Sequence, residues 1–180
     1  VGYTLKIGEC RTDYNEDGVS IDCDVVRRDD APAFGELTDF ESQRRPSYTS
    51  WANAMETLGL MDVMFNLRNG GKGDFEWNGK RRSPLLEVHP GATPITIDHV
   101  EYVENKIAEY KKKHPDHIAK FPPPKPGAKP IFGNGSNEIY RNDDYDEDPR
   151  FDHALCRGEW LAYWLRWAIN NCKQPVFVNW

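Results

Sequence analysis

The chain of 180 residues contains no apolar run near the ~20 residues that a membrane span needs. Its first residues lack the charged-then-apolar pattern of a secretory signal, so the cytoplasm is the expected compartment. It has no excess of basic charge. Lys and Arg number 23 against 29 Asp and Glu, a formal net charge of −6. A general binder of nucleic acid or of an anionic membrane needs a basic face, so neither is expected as a partner. Cysteine is scarce, and Cys10, Cys23, Cys156 and Cys172 form no CxxC pair, which excludes zinc-ribbon and thioredoxin spacing. Cys156 and Cys172 fall on one predicted helix, too far apart to bridge each other. Cys10 and Cys23 can face each other across a hairpin, and reduced thiols are the expected state. Catalytic signatures are missing as well: there is no GxSxG, HExxH or HxExH. The glycine-rich stretches at Gly70 to Gly73 and Gly133 to Asn137 lack P-loop spacing and a preceding strand. Aliphatic residues are few, but aromatics make up 12% with six Trp, so large rings carry the burial.

Periodicity supplies the elements. Tyr3, Leu5 and Ile7 alternate with Thr4 and Lys6, and Val19, Ile21, Cys23 and Val25 alternate likewise. Period two marks half-buried strands over 3–10 and 19–26, and the turn-rich residues 11–18 between them predict an antiparallel hairpin. Residues 27–46 read as polar and irregular. Ser47 caps a helix through Trp51, Ala54, Met55 and Leu58, with Gly59 and Leu60 in place for a Schellman stop. Met61 to Phe65 is either a helical turn or a strand. Phe75 to Arg82 predicts a small hairpin about Asn78-Gly79. Pro84 to Pro94 reads as a connector. Thr96 opens a helix with Ile97, Val100, Val103, Ile107 and Tyr110 as its stripe, ended by Pro115. Residues 116–147 are proline-rich and then acidic, an irregular connection of the kind that is often functional. Asp148 and Pro149 suit the start of a last helix reaching Cys172, apolar or aromatic almost all round after Glu159. Val176 to Val178 predicts a short strand. The expected fold is one α+β domain: a small antiparallel sheet packed against about three helices, with long irregular loops.

Four features carry candidate chemistry. Asp13-x-Asn15-x-Asp17-Gly18-x5-Asp24 resembles the EF-hand loop over a dozen residues. The resemblance implies calcium held by oxygens of Asp13, Asn15, Asp17 and Asp24, although the flanks read as strands; the alternative is a polar hairpin loop. The histidines His89, His99, His114, His117 and His153 serve a metal hydrolase only if three or four side chains converge; otherwise they are surface or capping residues. On the last helix, Asp152, Cys156, Glu159, Tyr163, Arg166 and Asn170 share one side. Glu159, Tyr163 and Arg166 can wall a ligand site for a phosphate, a carboxylate or an aromatic base, or form a solvated stripe with an internal Glu159–Arg166 contact. Finally, the basic block from Lys106 to Lys129 precedes carboxylates from Glu138 to Asp152. Such blocks pair with each other or dock a protein partner, and salt-sensitive binding through Asp143, Asp144, Asp146 and Glu147 is the expectation. Function divides between a non-enzymatic binding protein acting through loops and acidic surface, and a small-ligand or metal-assisted enzyme. The enzyme's pocket would follow the polar line and be completed by His89, His99 or His153.

Overall fold

A computed structural model describes residues 2–15, 18–26, 41–65, 75–131, 133, 138 and 140–180; at 13–15, 18, 19 and 142 only the backbone is described. The amino-terminal alternation forms β1 (Leu5–Asn15) and β2 (Gly18–Asp24), and the carboxy-terminal run forms β7 (Pro175–Asn179). With β3 (Gln43–Arg44) and β6 (Gly91–Pro94) they make an antiparallel sheet in the order β2-β1-β7-β6, with β3 also on β1. A second sheet is the hairpin β4 (Phe75–Trp77) and β5 (Lys80–Arg82), turned at Asn78 and Gly79, both at positive φ as a type I′ turn requires. The helices are α1 (Tyr48–Thr57), α2 (Met61–Met64), α3 (Ile97–Lys113) and α4 (His153–Asn171). The fold is thus α+β among the described residues, with four helices, α2 being a single turn.

Local signals placed most ends correctly. Ser47 Oγ accepts from the Ser50 amide at 3.2 Å and opens α1. At its other end Gly59 sits at φ 70°, its amide donates to Glu56 O, and the Leu60 amide donates to Met55 O. That double bond is the Schellman stop, and it leaves Leu60 fully buried. The Met61 segment resolves as a helical turn.

Four expectations need correction. Residues 27–46 are not irregular throughout: Gln43 and Arg44 form β3 on β1 and are buried, while 27–40 lie outside the described residues. The turn-rich residues after Cys10 do not form a long loop, since β1 and β2 stay paired out to Asn15 and Gly18. Ladder bonds join main chains, so polar side chains do not prevent them. The connector before α3 contains β6, too short to show a period. Its Pro94 is tolerated because β6 is an edge strand. The Asn179 side-chain amide ties β7 to this turn, donating to Val88 O and Gly91 O at 3.0 and 3.2 Å. The last helix is capped by Asp152, not Asp148: Asp152 Oδ1 accepts from the Leu155 amide at 2.9 Å. Asp148 instead holds a turn, its carboxylate gripping Arg150 Nη2 at 2.8 Å while the Phe151 amide donates to its carbonyl.

Packing centres on α4. Leu155, Leu161, Trp164, Leu165 and Ala168 are almost fully buried, as are Leu5, Ile7 and Phe177 of the sheet and Trp51 of α1. Each buried Leu, Ile or Phe among them contributes roughly 1.5–3 kcal/mol by leaving water. Gly158 sits where α4 meets both α1 and α3. A Cβ there would lie 2.6 Å from Leu58 Cδ1 and 3.3 Å from Ile107 Cδ1.

Candidate functional site

The polar line of α4 faces α3. Arg166 forks onto Glu104, with Nε and Nη2 at 2.9 and 2.6 Å from its two oxygens, and Lys111 Nζ lies 2.7 Å from Glu159 Oε1. Glu104 and Lys111 are seven residues apart, as are Glu159 and Arg166, so the helices run antiparallel and two ion pairs cross between them. The contact is therefore interhelical, not the internal Glu159–Arg166 pair. Between and beside the pairs lie two adjoining hollows. One, of about 530 Å³, is lined by Ile107, Ala119, Lys120, Glu159, Trp160 and Tyr163 among others. The other, of about 370 Å³, is lined by Ala162, Tyr163, Arg166 and Trp167 among others. Tyr163 lines both hollows, Glu159 only the first and Arg166 only the second. No histidine lines either hollow. The hydrogen bond to Glu104 holds the guanidinium of Arg166 above its usual pKa. The paired groups stay 38–55% exposed, and pairs of that kind are worth about 1 kcal/mol or less.

At the start of α4 stands a constellation that sequence reasoning missed. While Asp152 Oδ1 caps the helix, its Oδ2 accepts from Tyr110 Oη at 2.7 Å and from His117 Nδ1 at 2.6 Å. Burial opposes the charge on Asp152. The Leu155 amide, Tyr110 and His117 outweigh it and hold the carboxyl below its usual pKa. Burial, then the same bond, pushes the Tyr110 phenol up to about 12. His114 stacks between Tyr110 and His117, with ring centroids at 4.4 and 4.7 Å. Asp152 thus joins the end of α3, the connection after it and the beginning of α4. The signals available were the cap-forming type of Asp152 and the His114-x-x-His117 spacing; their partnership spans 35 to 42 residues, beyond any local pattern.

The opposite charge blocks meet through their main chains. Ile118 donates to Arg150 O and Asp152 back to Ile118 O, both at 2.9 Å; Asp146 donates to Pro123 O at 3.2 Å, and Lys125 Nζ to Asp143 O at 2.7 Å. This seam frames a third hollow of about 740 Å³, lined by Phe121, Tyr145, Asp146, Glu147, Asp148 and His153 among others. Phe121 meets Tyr145 and Phe151 edge to face at 4.5 and 5.0 Å. Asp148 is engaged by Arg150, which lowers its pKa to about 2. Asp146 and Glu147 are exposed on the rim. Burial, followed by the charge of Arg157, holds His153 below its usual pKa.

The remaining histidines are structural. His89 donates from Nδ1 to Asn179 Oδ1 at 2.6 Å and accepts from Tyr48 Oη at 3.0 Å. His99 Nδ1 accepts from the Thr96 amide at 3.0 Å, and its Nε2 donates to Ser83 O at 2.8 Å, which fixes a neutral ring. Burial lowers its pKa. Among the described residues no group of three or more His, Cys, Asp or Glu is placed to hold a metal. In the calcium-like loop, Asp13 pairs with Ser20 and Asp24 with Glu9. Four residues of strand separate those rungs, roughly 13 Å. The ladder therefore does not bring Asp13 and Asp24 together, Asp17 lies outside the described residues, and Arg11 Nη1 lies 3.7 Å from Asp24.

Among the described residues no helix is long and apolar enough to cross a membrane. No protein-family model, curated protein or solved structure matches the chain.

Proposed function

We propose that the chain is a non-enzymatic binding protein whose acidic, aromatic-floored hollow receives a basic segment of a protein partner. The observation that carries this reading is the contrast in how its carboxylates are engaged. Asp148 is tied to Arg150, while Asp146 and Glu147, which line the same hollow as Phe121, stand exposed with no ion pair among the described residues. A Lys or Arg side chain entering there meets two carboxylates that have no ion pair among the described residues, and charge-assisted hydrogen bonds to them favour a cation. The formal net charge of −6 steers a basic partner toward the protein and makes association salt-dependent.

The test is a calorimetric titration with a synthetic arginine- and lysine-rich peptide at low and at high salt. Binding is expected at low salt, weakening as salt rises, and falling again in the Asp146→Asn, Glu147→Gln variant. Equal affinity of that variant and the parent protein would overturn the assignment of the hollow.

A further inference from the structure

We propose that Cys10 and Cys23 form a redox-active pair, converted by a small-molecule disulfide into a cross-strand disulfide that closes the base of the β1–β2 arm. The register sets these residues directly opposite each other. The side of β1 on which Cys10 bonds decides what kind of rung this is. Its amide donates at 2.8 Å to Gln174 O, on the β7 side, while the Ile7 amide donates to Ser42 O on the other side. The main-chain groups of one strand residue point the same way, so Cys10 bonds away from β2, and Cys10–Cys23 is a non-hydrogen-bonded rung. Such rungs bring Cα atoms to about 4.5 Å with both side chains on one face. That spacing lies at the short end of the range that disulfides span, so closure needs little backbone movement.

The surroundings fit. Leu5 and Ile7 point into the main core; Cys10 and Cys23 lie on the other face of the sheet with Val176, Val178 and Ala92. Gly8 stands beside the pair, and a Cβ there would come within 3.7 Å of Cys23 Sγ. Cys23 is 5% exposed and Cys10 half-buried, so Cys10 is the sulfur that a small molecule reaches first. The position has a consequence. β7 pairs with β1 only as far as Glu9, with one further bond from Cys10 to Gln174. Beyond Cys10 the main-chain pairing of the arm among the described residues is β1 with β2, while Ser20 and Ile21 share a hollow with Ala92, Val178 and Trp180, and a bond at this rung fixes the register of the ladder outside it.

The chemistry balances as thiol–disulfide exchange. The Cys10 thiolate attacks one sulfur of the oxidant disulfide, forming a mixed disulfide and expelling one thiolate. The Cys23 thiolate then attacks the Cys10 sulfur and expels the second. The protein gives up two electrons and two protons, and the oxidant becomes two thiols. Burial pushes the Cys23 thiol up to about 12, which makes the second step the slow one. Cys156 is 1% exposed inside α4 and takes no part.

The experiment equilibrates the folded chain with oxidised glutathione, then denatures it, alkylates it and maps the peptides by mass. Two of the four cysteines should resist alkylation, with Cys10 linked to Cys23. The same link should form in Cys172→Ser and be absent in Cys23→Ser. Cleavage within the arm should leave two fragments that separate only after reduction. Four alkylated cysteines, a link through Cys156 or Cys172, or a glutathione adduct on Cys10 that never resolves would each overturn the proposal.

Discussion

The α3–α4 groove and the acidic hollow lie on either side of one short piece of chain. Ala119 and Lys120 line the first, and Phe121 and Pro122 line the second. Both combine aromatic rings with carboxylates, yet they differ in what those carboxylates do. In the groove, Glu104 and Glu159 each hold a cation from the facing helix. In the hollow, Asp146 and Glu147 face water. A helix pair places complementary charges at matching heights and lets them neutralise one another. An irregular segment held by its main chain leaves two carboxylates, Asp146 and Glu147, without an ion pair among the described residues. A row of polar residues on a buried helix is therefore weaker evidence of a site than carboxylates on a framed loop.

The largest expected effect falls on what the two regions share. Asp152→Ala removes a helix cap and two side-chain bonds, and should cost about 3 kcal/mol in urea unfolding. A loss below about 1 kcal/mol would show that Asp152 does not join them. The same carboxyl has a pH signature. Its folded pKa lies below its unfolded value, so its stabilisation is present above the unfolded pKa and is lost as pH falls through the folded one. Asp152→Asn should flatten that acid limb. His99 adds to the decline below its unfolded pKa, because the unfolded ring takes a proton that the buried ring resists.

Next in size, Gly158→Ala should cost about 2 kcal/mol by thermal melting, since its Cβ drives into Leu58 behind the groove. It should leave basic-peptide binding at the hollow unchanged, and parallel losses in both would erase the distinction between the two regions. Smaller again, Asp146→Asn with Glu147→Gln should weaken that binding about tenfold, or 1.4 kcal/mol, while Glu104→Gln and Glu159→Gln alter it less than about twofold. The smallest effect is the Glu104–Arg166 coupling: a double-mutant cycle should give about 0.5 kcal/mol, vanishing in high salt.

Legibility followed distance along the chain. The Schellman stop at Gly59, the Asn78-Gly79 hairpin, the start of α3 at Thr96 and the pairing of Cys10 with Cys23 were all readable, because each rests on a few consecutive residues or on one two-residue period. The true cap of α4 was misread because Asp148 and Asp152 are chemically equal. What separates them is the bond that the Asp152 amide donates to Ile118 O and the pull of Tyr110 and His117. β6 went unread because four residues cannot display a period. The helical period places Glu159, Tyr163 and Arg166 on one side of α4 but does not encode the residues facing them.

The sequence by itself determined that α4 is a core helix with one polar edge, that β1 and β2 alternate, and that opposite charge blocks run from the second half of α3 to the start of α4. These are local facts, set by the 3.6- and two-residue periods and by which residues cap or break an element. Only the tertiary structure decided that the polar edge closes on α3, that Asp152 gathers donors from three segments, and that Asp146 and Glu147 have no ion pair among the described residues. Each of those outcomes depends on which side chain of a distant segment arrives within about 3 Å, a relation that no local period encodes.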